Sequence, residues 1–123
     1  MTVPELYENI GGSYESAKRI LQMDKLIGKF ILKFLDDKSC EKLMTAYANG
    51  DSEGMFEGAH ALKGVCANLG LDALSAQASE IAEQFRPGHE RTMDDAQLSA
   101  ALDGIRTLYD KAINGIKAFA AQA

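Results

Sequence analysis

A chain of 123 residues, 46% hydrophobic and 25% charged, has the make-up of one folded domain and is too apolar to remain disordered. Thirteen Lys and Arg against eighteen Asp and Glu leave a net charge of −5. That excludes a general nucleic-acid binder, which needs a basic footprint to neutralise phosphates. Cys40 and Cys66 form no CxxC pair, so a disulfide scaffold and a structural zinc site are not expected, and two lone thiols suit a reducing cytoplasm. The N-terminus MTVPELYENIGG carries acids and no continuous apolar run, unlike a signal peptide. The most apolar window, Leu26 to Leu35, is interrupted by Lys29 and Lys33 and is far shorter than the roughly 20 apolar residues of a spanning helix. A cytoplasmic protein without a membrane anchor is expected.

Two short amphipathic pieces come first, Pro4–Ile10 and Tyr14–Leu21, split by Gly11 and Gly12. Leu26, Ile27, Phe30, Ile31, Phe34 and Leu35 then repeat at helical spacing opposite Lys25, Lys29 and Lys33. Asp36-Asp37-Lys38-Ser39 breaks that pattern, and Cys40, Leu43, Met44, Tyr47 and Ala48 make a shorter stripe ending at Asn49-Gly50. Asp51 or Ser52 can cap the next helix, whose apolar positions run from Met55 through Ala59, Leu62 and Cys66 to Leu69, with Gly70 as its stop. Leu71, Leu74, Ala78, Ile81, Ala82 and Phe85 follow, closed by Arg86-Pro87-Gly88. Thr92 and Asp95 resemble a capping box for the last and longest stripe, Leu98 to Ile116. Nothing alternates at period two long enough for a strand. The pattern predicts an all-α fold: a single domain over residues 1–123, built as an antiparallel up-down four-helix bundle with the short N-terminal helices covering one end.

The chemistry narrows to one place. There is no G-x-S-x-G nucleophile elbow and no phosphate-binding G-x-x-x-x-G-K-[ST] loop. Glu57-x-x-His60 has the spacing of a di-iron bundle element, but the only other histidine, His89, lies in the Pro87–Met93 loop, where a solvated ring is expected. On a helical wheel His60 falls beside the stripe of Ala59, Leu62 and Cys66, so its ring should be partly exposed at the edge of the bundle. Lys63 and Gly64 share its face at i+3 and i+4. These three suit an imidazole that carries a phosphoryl group. Imidazole is a nucleophile near neutral pH because its reference pKa is about 6.5. Lys63 supplies a flexible positive charge for phosphoryl oxygens. Gly64 removes a side chain that would obstruct a partner, although Gly28, Gly58, Gly104 and Gly115 also interrupt predicted helices.

The segment from Ala59 to Gly70, with His60, Leu62, Lys63, Gly64 and Gly70, resembles the signature of histidine-containing phosphotransfer (HPt) domains. Tyr14–Leu21 and Phe30–Asp37 are similar to that family's first helices, so the likeness covers roughly Leu6 to Phe119. The resemblance implies a phosphocarrier of a two-component phosphorelay, without a kinase or ATP site of its own. In it His60 is phosphorylated, Lys63 is the phosphate-side cation and Gly64 gives clearance. The implied partner is the receiver domain of a response regulator or hybrid histidine kinase. Mg2+ is then expected on that receiver, and no cofactor on this chain. The family often has small hydroxyl residues just after the glycine, where Val65 and Cys66 stand here. A glutamine contacts the histidine in some relatives, and Gln77 and Gln84 are the candidates. Tyr14, Ala17, Phe56, Ala59 and Ala67 are expected around His60 as an apolar docking face. Tyr7, Tyr14, Tyr47 and Tyr109 are expected to pack with wet hydroxyls, and a monomer is expected.

Two other readings compete. A non-catalytic helical protein-interaction module explains the stripes equally well but leaves the local signature as coincidence. Asp24–Leu35 also resembles a basic membrane-surface helix, a reading that the charge of −5 opposes.

Overall fold

The computed structural model describes residues 1–122. Seven α-helices and one 3-10 turn follow in order, with no strand among the described residues. They are α1 (Val3–Ile10), α2 (Tyr14–Leu21), α3 (Asp24–Lys33) continued by a 3-10 turn (Phe34–Asp36), α4 (Ser39–Ala48), α5 (Ser52–Asn68), α6 (Asp72–Gln84) and α7 (Asp95–Ala120). No helix among the described residues is long and apolar enough to cross a membrane.

Local chemistry sets the boundaries. Thr2 and Glu5 form a reciprocal capping box across Val3 and Pro4, and Ser13 caps α2. Asp51 accepts from the Gly54 amide at 3.0 Å and starts α5. Gly70 follows the end of α5 at φ +72°, a left-handed conformation that glycine adopts without strain. A side chain there would also strike the Ser13 carbonyl and the Ala17 backbone. The start of α7 differs from the sequence expectation: the reciprocal box is Asp94 with Gln97, their bonds 2.7 and 2.9 Å long. Thr92 is engaged elsewhere, because Gln84 holds its amide and its hydroxyl at 2.8 Å and the Met93 amide at 2.9 Å.

Helices α4, α5, α6 and α7 are successive neighbours: three-residue connections make α4–α5 and α5–α6 antiparallel pairs, the ten-residue loop 85–94 leads from α6 to α7, and α5 sits between α4 and α6. Leu43, Leu62, Ile81, Ile105 and Ile116 of these helices and Ile31 of α3 are fully buried. At roughly 1.5–3 kcal/mol for each such side chain, this core stabilises helices that would be marginal alone. The N-terminal helices cover the α5–α6 turn and the C-terminal half of α7. Tyr7 donates its hydroxyl to the Leu69 carbonyl at 2.6 Å, and the Ser13 amide donates to the Gly70 carbonyl at 2.7 Å. Phe34 meets Tyr109 of α7 edge-on, with ring centroids 5.7 Å apart. Tyr7 therefore departs from the expected wet hydroxyl. Its side chain is buried and its phenol is pushed above the ordinary range by that burial.

Candidate functional site

Helix α5 buries Met55, Ala59, Leu62 and Cys66 against its neighbours, so its opposite face looks outward. His60, Lys63 and Gly64 lie on that face and are all exposed. His60 stands midway along the helix, beyond the first and last turns in which a helix terminus lends its partial charge. Its ring stacks on Phe56, one turn earlier, with centroids 5.6 Å apart and planes 19° from parallel. This contact follows from helix geometry, because side chains lean towards the N-terminus and cover the residue four positions back. The nearby polar groups bond elsewhere. Glu57 pairs with Lys42 of α4 at 2.8 Å, and the Ser75 hydroxyl donates to the Lys63 carbonyl at 2.9 Å. No hydrogen bond among the described residues engages the His60 ring.

Lys63 borders a groove of about 410 Å³ shared with Arg19 and Ala67 and with Ser75 and Ser79 of α6. Ser75 and Ser79 were not singled out in the sequence. Their spacing of four on the helix that follows α5 is the signal that places hydroxyls beside Lys63 where Val65 and Cys66 supply none. Cys66 is fully buried and its thiol is pushed up by desolvation, so it takes no part at the surface. The positive field of Lys63 extends to Glu83 of α6. That carboxylate is held below its ordinary range mainly by hydrogen bonds from Arg86, with smaller contributions from the charges of Arg86, His89 and Lys63.

The glycines of the helices now separate. A methyl group on Gly58 would sit 2.7 Å from the backbone nitrogen of Leu43, and one on Gly104 would sit 2.9 Å from Gln77 Oε1. On Gly115 it would overlap Ile10, and on Gly28 it would make only ordinary contacts. On Gly64 it would meet nothing within 4 Å. Close packing accounts for Gly58 and Gly115, whereas the close contact at Gly104 is with the movable end of the Gln77 side chain. The chain's own packing does not require Gly64.

Several expected neighbours of His60 lie elsewhere. Ala17 and Ala59 are fully buried and cannot form a docking face. Ala17 packs closely against Gly70, and Ala59 belongs to the buried stripe of α5 itself. Phe56 and Tyr14 are half-buried and Ala67 is exposed. Tyr14 gives its hydroxyl to Asp24. Large apolar side chains are instead exposed at Ile20 of α2, Met23 between α2 and α3, and Phe30 of α3, as well as at Met1 and Tyr47, and Ile20 and Phe30 line an apolar groove of about 530 Å³ that reaches Val65 of α5 and Leu69 just after it. Gln77 faces Gly104 of α7 and Gln84 holds the α6–α7 loop, so neither is committed to the imidazole. His89 is half-buried rather than freely solvated. Its Nε2 lies 4.0 Å from Glu83, and its Nδ1 is buried with no hydrogen-bond partner among the described residues.

The fold is thus a helical bundle that presents the exposed His60 imidazole at mid-helix, with a cation and a bare turn beside it. The Hpt domain family model matches residues 15–115, and the chain belongs to that family. Hpt domains are phosphocarriers of phosphorelays, without kinase activity of their own, and interact with receiver domains. No curated protein and no solved structure matched the chain.

Proposed function

We propose that this protein carries a phosphoryl group on His60, receiving it from and returning it to the aspartate of receiver domains. The observation that carries this reading is the bare turn at Gly64. A mid-helix glycine costs roughly 1 kcal/mol relative to alanine, and no neighbour within the chain demands it. Clearance for an approaching partner accounts for it.

The step itself asks little of the carrier. The lone pair of the unprotonated His60 nitrogen attacks phosphorus as the P–O bond of the aspartyl phosphate breaks. That bond's electron pair leaves on the carboxylate, while the proton on the other ring nitrogen is retained or passed to water. Such transfers depend on positioning and charge stabilisation. Lys63, one helical turn from the ring, offsets the phosphoryl charge. The metal that assists the reaction belongs to the receiver, and this chain needs no cofactor. Docking places the partner over the outward face of α5 and the apolar Ile20, Met23 and Phe30 patch. The carrier acts as a cytoplasmic monomer.

Receiver domains charged with acetyl phosphate supply the test. Label should move to the wild-type chain and not to His60→Gln, while Lys63→Ala slows the transfer without abolishing it. Transfer to His60→Gln at the wild-type rate would refute the assignment.

A further inference from the structure

The geometry points to Phe56 as a positioning residue that holds the plane of the His60 imidazole for in-line transfer. This inference rests on His60 being the phosphoryl acceptor. Histidines that work as nucleophiles or ligands are commonly oriented by a hydrogen bond on the second ring nitrogen. Here no such bond exists among the described residues, and the ring is exposed, so the stack on Phe56 is what orients it. The platform is itself fixed, because Phe56 is half-buried and packs against the core.

Stacking suits the task for an electronic reason. The nucleophilic lone pair of an imidazole nitrogen lies in the ring plane, whereas Phe56 covers a ring face. The contact therefore restrains the plane without blocking the reacting edge. The next turn, at Gly64, is bare, so a phosphoryl donor reaches that edge unobstructed. Sequence spacing alone makes the contact possible, since positions 56 and 60 are one turn apart on one helix face.

The test compares Phe56→Leu, which keeps apolar volume but removes the aromatic face, with Phe56→Tyr, which restores the face. Phosphoramidate is the phosphoryl donor, because it has no docking surface and so reports on the ring alone. Phe56→Leu is expected to lower the His60 phosphorylation rate constant by about two- to tenfold, the factor to which aromatic-pair energies correspond. Phe56→Tyr should restore the wild-type rate, and thermal melts should show both variants folded. In the wild type, nuclear Overhauser contacts between the Phe56 and His60 rings should be strong.

A Phe56→Leu rate equal to wild type would overturn the inference. So would a loss seen only with a receiver domain as donor, which would make Phe56 a docking contact. If Phe56→Leu does not fold, the wild-type ring contacts decide, and their absence overturns the inference. Failure of the wild type to take phosphate on His60 would instead overturn the acceptor assignment, a result read separately.

Discussion

Replacing Gly64 by alanine should make the protein more stable and a worse carrier. The added methyl meets nothing within 4 Å, so the native state accepts it without strain. Helix propensity then favours alanine by about 1 kcal/mol, which for a chain of this size raises Tm by roughly 3–6 °C. The same methyl stands in the approach to the His60 ring. Reacting atoms must close to about 3–3.5 Å, and a misplacement of about 1 Å can cost as much as a hundredfold. Transfer from a receiver domain should fall at least about tenfold, while phosphorylation by the small donor phosphoramidate should change little. Gly58→Ala is the control. Its methyl would lie 2.7 and 2.9 Å from backbone atoms of Leu43. Overpacking of that kind costs about 1–3 kcal/mol and outweighs the propensity gain, so Tm should drop. Calorimetry and stopped transfer assays on the two variants read both effects. A Gly64→Ala protein that is no more stable, or that exchanges with receivers at the wild-type rate, would refute the reasoning.

Tyr7→Phe removes the bond to the Leu69 carbonyl, which is 2.6 Å long and buried. It should cost about 1–2 kcal/mol in urea unfolding, with faster hydrogen exchange in α1, and an unchanged midpoint would contradict the anchoring role given to Tyr7. The fold should also weaken in alkali. Burial raises the Cys40 thiol from an ordinary value near 9 to about 11 and pushes the Cys66 thiol up as well. Both are neutral in the native state where the unfolded chain has begun to ionise. Their stabilisation is thus complete below about pH 9 and is lost as pH rises towards and past 11, at up to ~1.4 kcal/mol per pH unit per thiol. Urea midpoints at pH 8 and 10.5 test this, and Cys40→Ala should flatten the slope. Equal midpoints would show that the thiols are not buried as described.

The helices were legible because each apolar stripe has one dominant period and ends in strong punctuation. Gly11-Gly12, Asn49-Gly50 and Gly70 fall at real breaks, and the stripe ending at Leu35 finishes inside the 3-10 turn Phe34–Asp36. The start of α7 was misplaced because Thr92 and Asp94 are both good caps. Only the fold shows Gln84 reaching across the loop to take Thr92, leaving Asp94 to cap with Gln97. At the site, His60, Lys63 and Gly64 follow from spacing on one helix and are found together on its exposed face. The meaning of Gly64 did not follow. Five mid-helix glycines look alike in a sequence, and only the neighbours of each separate Gly58 and Gly115, which packing requires, from Gly64, which faces open space. The docking face was misread for a related reason. Ala17 carries no sign of whether a helix covers it, and Ala59 already lies in the apolar stripe of its helix; both are covered. Hydroxyls were sought next to Gly64 along α5, whereas the fold supplies Ser75 and Ser79 across the groove from α6.

The most direct test of the acceptor assignment is intact-mass analysis and peptide mapping after treatment with phosphoramidate, run on wild type, His60→Gln and His89→Gln together. His89 is a fair internal control because it is half-buried, with one ring nitrogen shut away from solvent. The account predicts one acid-labile phosphoryl group, present in wild type and His89→Gln, mapped to α5 and lost in His60→Gln. No addition, or a modification that survives in His60→Gln and maps to His89, would contradict it and leave a helical interaction module as the better description.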